Sequence, residues 1–532
     1  MKRLDHGLHG MHGWNECHLG SVSVASVQSV VISSVCCRVR LPRSAWSLLA
    51  LLLFVMGAVP AFAQIQQAWV AKYDNGIPDG NHQALKMALD ASGNIYVLGV
   101  SQNANTNTGY VVVKYAPNGN QVWAARYDST NFPSATPTGF AVDSGSNIVV
   151  TGRALTVKFD ANGNLLWTAP YNGAAIAVDP AQNIYITGVS SKFTTMSFNP
   201  AGSNLWTKTE TFKGLGSVSE AIAIDSFTNI YVGGTEIYYS DKNLSYNELA
   251  VKKYDAKGNL LWGSNESALI GAGPWLQIAG FIVDSYGNVY SDFNGDPVFA
   301  ALFGTSKIDS DGSTGWYQFD PTGNEASYAS GLVIDTMGNV VVTGHDGYPS
   351  SFGTYKIDTN GNYVWTNLYL MSSYGGGAAL ALAVDSANNI YVTGESSITN
   401  TPYDIATLKL DANGNQLWVQ RYRGPGLGNA GNAIAVDNSG NVYVAGYETE
   451  TNGFTSMILI KYSPVTLQQQ SSGNVVLQTY GSPGENFDVQ MSTNLQTWQD
   501  LGPITADTNG LLQFIDTNAP LFPARFYYTI PK

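Results

Sequence analysis

The chain has 532 residues, 44% of them hydrophobic and only 12% charged, a balance that excludes a disordered polymer. A formal charge of −13, with no basic cluster after the first 63 residues, excludes a nucleic-acid-binding surface, which needs Lys and Arg to neutralise phosphates. The length calls for more than one folding unit, and 56 glycines with 12% aromatic residues favour short strands and tight turns over helices.

Residues 1–63 read as an extension followed by a signal peptide. Arg38, Arg40 and Arg43 precede an apolar run from Leu48 to Val59, and Ala61-Phe62-Ala63 supplies a small-residue cleavage site. The run is too short for a comfortable membrane span, so the expectation is export, cleavage near Ala63 and a secreted or cell-surface protein with no transmembrane span. His6, His9, His12, His18 and Cys17 have the composition of a metal tract, but they precede the cleavage site. So do Cys17, Cys36 and Cys37, which leaves the rest of the chain without a disulfide or a thiol nucleophile.

Residues 64–463 are repetitive. An Asp followed four residues later by Asn, then Ile or Val, occurs at Asp90, Asp143, Asp179, Asp225, Asp284, Asp335, Asp385 and Asp437. A spacing of about 50 residues is that of propeller blades. Between these sites a second pattern, Lys-Tyr-Ala-Pro-Asn-Gly-Asn-Gln-Val-Trp at 114–123, recurs at 158–167, 253–262, 307–316, 356–365 and 409–418, and more loosely before Trp206. Asn-Gly between apolar runs signals a hairpin, and the Asp can cap its own turn by accepting backbone amides. Each repeat therefore predicts four short strands. The last repeat stops at Lys461-Tyr462 without its Trp strand, and residues 67–73 around Trp69 supply that strand from the other end. The predicted fold is an eight-bladed β-propeller closed by this N-terminal outer strand, or seven-bladed if one degenerate repeat makes no blade, with repeat five the weakest.

These motifs resemble the secreted bacterial β-propeller repeat family (SBBP), whose Asp-x-x-Gly-Asn-x-Tyr-Val-x-Gly core precedes a Lys-Tyr-Asp-x-Asn-Gly-x-x-x-Trp turn and strand. The resemblance covers about residues 65–463; it implies the fold and brings no general catalytic signature.

Residues 464–473 read as a polar linker, and 474–532 as a small β-sandwich with turns at Ser482-Pro-Gly and Thr508-Asn-Gly. Gln490–Trp498 and Pro523–Tyr527 resemble C-terminal modules of large exported bacterial proteins, which implies surface retention, sorting or accessory binding.

Catalytic constellations are sparse. His82 and His345 lie in different repeats, too few for a zinc site on their own, and no Gly-x-Ser-x-Gly elbow marks a nucleophile. Asp309-Ser-Asp311-Gly312 has the start of a calcium loop without its later Asp and Glu, and Asp292, Asn294 and Asp296 are similarly ambiguous. No cofactor is predicted, with calcium the one metal these acidic segments leave open. The eight tryptophans at fixed repeat positions are expected to pack between blades. Their motif is similar to that of eight-bladed quinoproteins, which implies an alternative: an exported enzyme, either a polysaccharide hydrolase or lyase or a PQQ-type quinoprotein, with its site in the propeller channel.

The favoured reading is an exported non-catalytic binding or cell-surface interaction protein. In each blade the Asp-x-x-x-Asn and Asn-Gly turns share one face, while loops of variable length share the other, where recognition usually resides. The candidate ligand-binding residues there are Tyr238, Tyr239, Tyr246, Trp275, His345, Tyr348, Tyr374, Tyr403 and Tyr447. Aromatic planes among amides and hydroxyls suit a glycan or a peptide.

Overall fold

In a computed structural model of the chain, eight four-stranded antiparallel sheets form from residues 65–464. The structure describes residues 31–32 and 65–531, apart from 78, 130–133, 189–191, 211–215, 240–244, 267–275, 296–301, 323–326, 348–349, 371–375, 399–401, 427, 482–483, 495, 509 and 523–524. Blade 1 shows the plan: an inner strand His82–Leu89, then Ile95–Gln102, Thr108–Tyr115 and an outer strand Gln121–Tyr127. The inner strands of blades 2 to 8 begin at Pro137, Ala175, Gly216, Leu276, Tyr328, Gly377 and Asn429. Each packs against its two neighbours, and that of blade 8 packs against that of blade 1, so the ring is closed.

Closure uses the strand expected from the repeat pattern. Blade 8 supplies Asn429–Val436, Val442–Thr449 and Thr455–Pro464, and its outer strand is Ile65–Tyr73. Trp69 stands opposite Lys461 as Trp123 stands opposite Lys114. Repeat five forms a complete blade from Leu276 to Phe319, which makes the count eight.

The repeated Asp closes the turn between the first two strands. In blade 1, Asp90 Oδ1 accepts the amides of Ser92 and Asn94, both at 2.9 Å, while Oδ2 accepts Asn94 Nδ2 at 2.7 Å. Six blades add a tyrosine hydroxyl, as in Tyr391 donating to Asp385 at 2.9 Å. Blades 2 and 6 have Val149 and Val341 at that point, and there a lysine takes over. Lys158 pairs with Asp143 at 3.2 Å and Lys356 with Asp335 at 2.7 Å, all four groups buried. In four of the six tyrosine blades the matching lysine lies over the ring instead, as in Lys114 on Tyr96 at 5.0 Å and Lys253 on Tyr231 at 4.8 Å. Each carboxylate is thus supplied with donors, as burial requires.

Blades are joined through the tryptophans. The indole N–H of Trp123, Trp167, Trp206, Trp262, Trp316 and Trp365 donates to a carbonyl in the next blade's glycine turn at 3.0–3.2 Å. The ring face then covers the turn glycine, and Trp69 covers Gly119 in the same way across the seam. Along the inner strands, Thr138 donates to the Gly173 carbonyl at 2.6 Å, Ser330 to Ala379 at 2.8 Å and Asn432 to Ala84 at 2.8 Å, the last joining blade 8 to blade 1.

The segment 464–473, expected as a linker, instead carries a strand, Thr466–Gln469, paired with Val475–Tyr480. These strands and Leu511–Asp516 form one small sheet; Asn486–Ser492, Gln499–Thr505 and Phe526–Pro531 form another, with Val31–Ile32 along its edge. Leu477 of the first sheet and Met491 and Tyr527 of the second share one core, as a sandwich requires. The module touches the propeller at the seam: Thr529 donates to Gln66 Oε1 at 2.6 Å, and Lys461 lies 5.0 Å from the Tyr480 ring.

Two glycines separate backbone strain from docking. Gly361 (φ 89°) would place a Cβ 2.8 Å from the Trp316 ring, whereas Gly453 (φ 88°) has open space around it. Gly453→Ala should cost about 1–2 kcal/mol, the price of a left-handed alanine, and Gly361→Ala a further ~1–3 kcal/mol of overpacking. Urea denaturation of both variants checks the difference; equal losses would show that the tryptophan does not bear on the turn.

Candidate functional site

The second strand of each blade runs from the regular Asp-capped turn to the variable-loop face, so residues late in that strand stand beside those loops. His345, Glu395 and Tyr447 hold the same position there in blades 6, 7 and 8, each directly after the glycine Gly344, Gly394 or Gly446. Blade 5 shows where a side chain at this point reaches. Asn294 donates to the Ala329 carbonyl of the next blade at 3.0 Å and accepts the Ala329 amide at 2.7 Å. By the same geometry Glu395 faces blade 8, and its charge together with burial raises the Tyr447 hydroxyl, burial being the larger cause. Burial likewise raises the Glu395 carboxyl. His345 Nε2 is 2.9 Å from Ser350 Oγ, and its ring lies 6.3 Å from that of Tyr328.

Tyr403 completes this surface. Its side chain is 39% exposed, and its carbonyl accepts the Asn429 amide at 3.1 Å and Asn429 Nδ2 at 2.9 Å, which ties blade 7 to blade 8. Beside it, Asp404 is held by Arg421 Nη2 and by Arg423 Nε and Nη2, each at 2.9 Å. Burial would raise this carboxyl, but the two guanidinium groups outweigh it and hold Asp404 below the usual carboxylate range. Arg423 keeps 58% of its side chain exposed, so one guanidinium edge faces solvent.

Of the nine residues named from sequence, the structure thus brings His345, Tyr403 and Tyr447 to blades 6–8. Tyr238 and Tyr246 are paired opposite each other in the blade 4 hairpin, next to Tyr239, with side chains outside the described residues. Trp275, Tyr348 and Tyr374 also lie outside the described residues. Sequence reading missed Glu395 and the Asp404–Arg421–Arg423 group. Glu395 was open to discovery, because aligning the repeats on Gly344, Gly394 and Gly446 places it beside the other two. Lys86 is a further departure: it stands where the inner strands of the other seven blades carry Gly or Ala, and burial lowers its ammonium.

Among the described residues no group of three or more His, Cys, Asp or Glu side chains is placed to hold a metal ion. Asp309 ion-pairs with Lys307 at 2.8 Å, and Asp311 accepts the Ser313 amide at 2.9 Å, so this acidic segment closes a hairpin. Asp296 lies outside the described residues. A cavity of about 470 Å3 lies on the opposite, regular face, and none of the nine residues lines it.

A family model described as outer membrane protein assembly factor BamB matches residues 107–265. Over that span, which runs from blade 1 into blade 4, the chain is similar to BamB-like repeats. It is also 26% identical over 185 residues to an uncharacterized WD repeat-containing protein, L264, of Acanthamoeba polyphaga mimivirus; the match covers 30% of this chain and 12% of that protein. Similar solved structures include a protein of unknown function from Dyadobacter fermentans DSM 18053, with 9% identity, a TM-score of 0.39 and coverage of 75% of this chain and 99% of the other. Another, of unknown function from Bacteroides caccae, has 12% identity, a TM-score of 0.31 and coverage of 52% and 93%.

Asp292 of blade 5 is fully buried, and neither carboxyl oxygen has a hydrogen-bond partner of good geometry. Four other blades carry threonine at this point, bonded to a threonine on the third strand, as in Thr343 and Thr354 at 2.9 Å; Asp292 faces Thr305. Burial pushes its carboxyl up to about 7, only partly offset by backbone amides. The folded state therefore holds this proton more tightly than the unfolded chain. Its contribution is full below about pH 4 and is lost as pH rises to about 7, by a few kcal/mol. Asp292→Thr should flatten that decline and stabilise the protein at pH 8; denaturation midpoints from pH 4 to 8 check it, and parallel curves would refute it.

Proposed function

We propose that the chain is an exported binding protein of the secreted bacterial β-propeller repeat type, which holds a glycan at the variable-loop ends of blades 6–8 and does not transform it. The observation that carries this reading is the placing of His345, Glu395 and Tyr447 at one repeat position in three consecutive blades, beside the exposed Tyr403. A rigid ring that repeats its framework and varies at these positions is a recognition scaffold. Tyrosine faces stack on sugar rings, and a partly desolvated carboxyl and imidazole accept and donate to hydroxyls. Export follows from the basic stretch, apolar run and Ala61-Phe62-Ala63. The C-terminal sandwich fits a retention or sorting role at the cell surface. The BamB description of the matching model favours interaction over chemistry.

A glycan array probed with the exported form of the chain tests the reading. Binding to a defined set of glycans is expected, and Tyr447→Ala or Glu395→Gln should weaken it at least tenfold, about 1.4 kcal/mol, without lowering the melting temperature of the ring. Binding to peptides or proteins alone, with no glycan retained, would overturn the glycan assignment.

A further inference from the structure

The closure of the ring leaves one blade interface incomplete. At the others, the turn between the third and outer strands of one blade docks on the tryptophan of the blade before it. In two of them its carbonyl is shared by two donors: Pro200 O takes Trp167 Nε1 at 3.2 Å and Lys158 Nζ at 3.4 Å, and Ala412 O takes Trp365 Nε1 at 3.0 Å and Lys356 Nζ at 3.3 Å. Blade 8 cannot make this turn, because its third and outer strands come from opposite ends of the repeat array. Pro464 and Ile65 pair side by side where the turn would form, and the chain runs on into Thr466–Gln469.

The blade edge is otherwise in register. Gln420 donates to the Ile65 carbonyl at 3.0 Å, as Asn367 donates to Gly414 at 3.0 Å one blade earlier. The missing turn leaves the cavity of about 470 Å3, lined by Ile65, Asp385, Lys409, Trp418, Asn438 and Pro464 among others. That volume lies within the range of small-ligand sites. Trp418, the tryptophan of blade 7, has no acceptor for its indole N–H among the described residues. Lys409, its partner on the third strand, lies over the Tyr391 ring at 4.9 Å and 3.9 Å from Asp385, much as Lys461 lies over Tyr443 at 5.5 Å while donating to the Pro117 carbonyl of the docked turn at 3.3 Å. Two donors whose counterparts in blades 2 and 6 converge on one carbonyl here line a cavity.

We propose that this seam cavity is a second binding site, which takes a tight Asn-Gly peptide turn from a partner and receives its carbonyl oxygen on Trp418 and Lys409. The ligand chemistry is set by the other interfaces of the same ring, where a tight turn ending in glycine, Asn-Gly in four of seven, is the group that fits. Its small glycine avoids the ring face, its carbonyl meets the two donors, and Asn438 on the facing turn offers an acceptor to its amides.

The test titrates the full chain, carrying 15N-labelled indole groups, with the peptide acetyl-Ala-Pro-Asn-Gly-Asn-amide, which reproduces residues 116–120. The Trp418 indole resonance should move saturably while those of the docked tryptophans stay in place. A peptide with Ala-Ala for Asn-Gly should bind at least tenfold more weakly. Trp418→Phe, which keeps the ring and removes the N–H, should weaken binding about tenfold. If that variant does not fold, Lys409→Met serves in its place with the same expected loss. No saturable shift, equal binding of the Ala-Ala peptide, or undiminished affinity in a folded variant would overturn the proposal.

Discussion

The contact on which the ring depends is a tryptophan face laid over a glycine. The outer strand of one blade presents the indole, the next blade presents a turn glycine with φ near 85°, and the indole N–H finds a carbonyl two residues before that glycine. The geometry joins two demands usually treated apart. The turn needs glycine for its backbone, and the tryptophan needs glycine for room. A β-carbon would violate both at once, which is why the pair recurs around the ring while the residues on either side change. The ring then has a fixed angular step, and its other features follow from that step.

The two faces divide the work accordingly. The regular face is occupied by capped turns and docked tryptophans, so its side chains are spent on one another. The variable face is free of that duty, and polar residues such as His345, Glu395 and Tyr447 occupy a position where other blades need no particular side chain. The seam is the exception on the regular face. A ring closed through the last blade's outer strand gains a continuous edge but loses one docking turn, so closure and the cavity beside Trp418 have the same origin.

How far the sequence led depended on whether a feature was periodic. The eight Asp-x-x-x-Asn sites, the tryptophans and the unmatched strand around Trp69 recur or complete a recurrence, and they were enough to draw the closed ring. Thr466–Gln469 was hidden because the run Gln468-Gln469-Gln470 at its end has a linker's composition, although Leu467 alternates inward as a strand residue should. Tyrosines were sought for the binding surface because they are conspicuous, and Glu395 was overlooked because its meaning lies in its repeat position. Asp292 was ambiguous beside Asn294 and Asp296 in sequence; in space it replaces a threonine in a buried ladder. The exchange of Tyr for Lys on the turn carboxylates of blades 2 and 6 was visible only once Val149 and Val341 were placed beside Lys158 and Lys356.

Hydrogen exchange of the full chain, resolved by segment, tests the central claim most directly, because the account stands or falls on Ile65–Tyr73 being a strand of the last blade. Its ladder amides are predicted to exchange as slowly as those of their partner Thr455–Pro464, and the two segments are predicted to lose protection together as denaturant is raised. Rapid exchange of Ile65–Tyr73 while Thr455–Pro464 stays protected would mean that the ring is not closed by this strand, and would contradict the account.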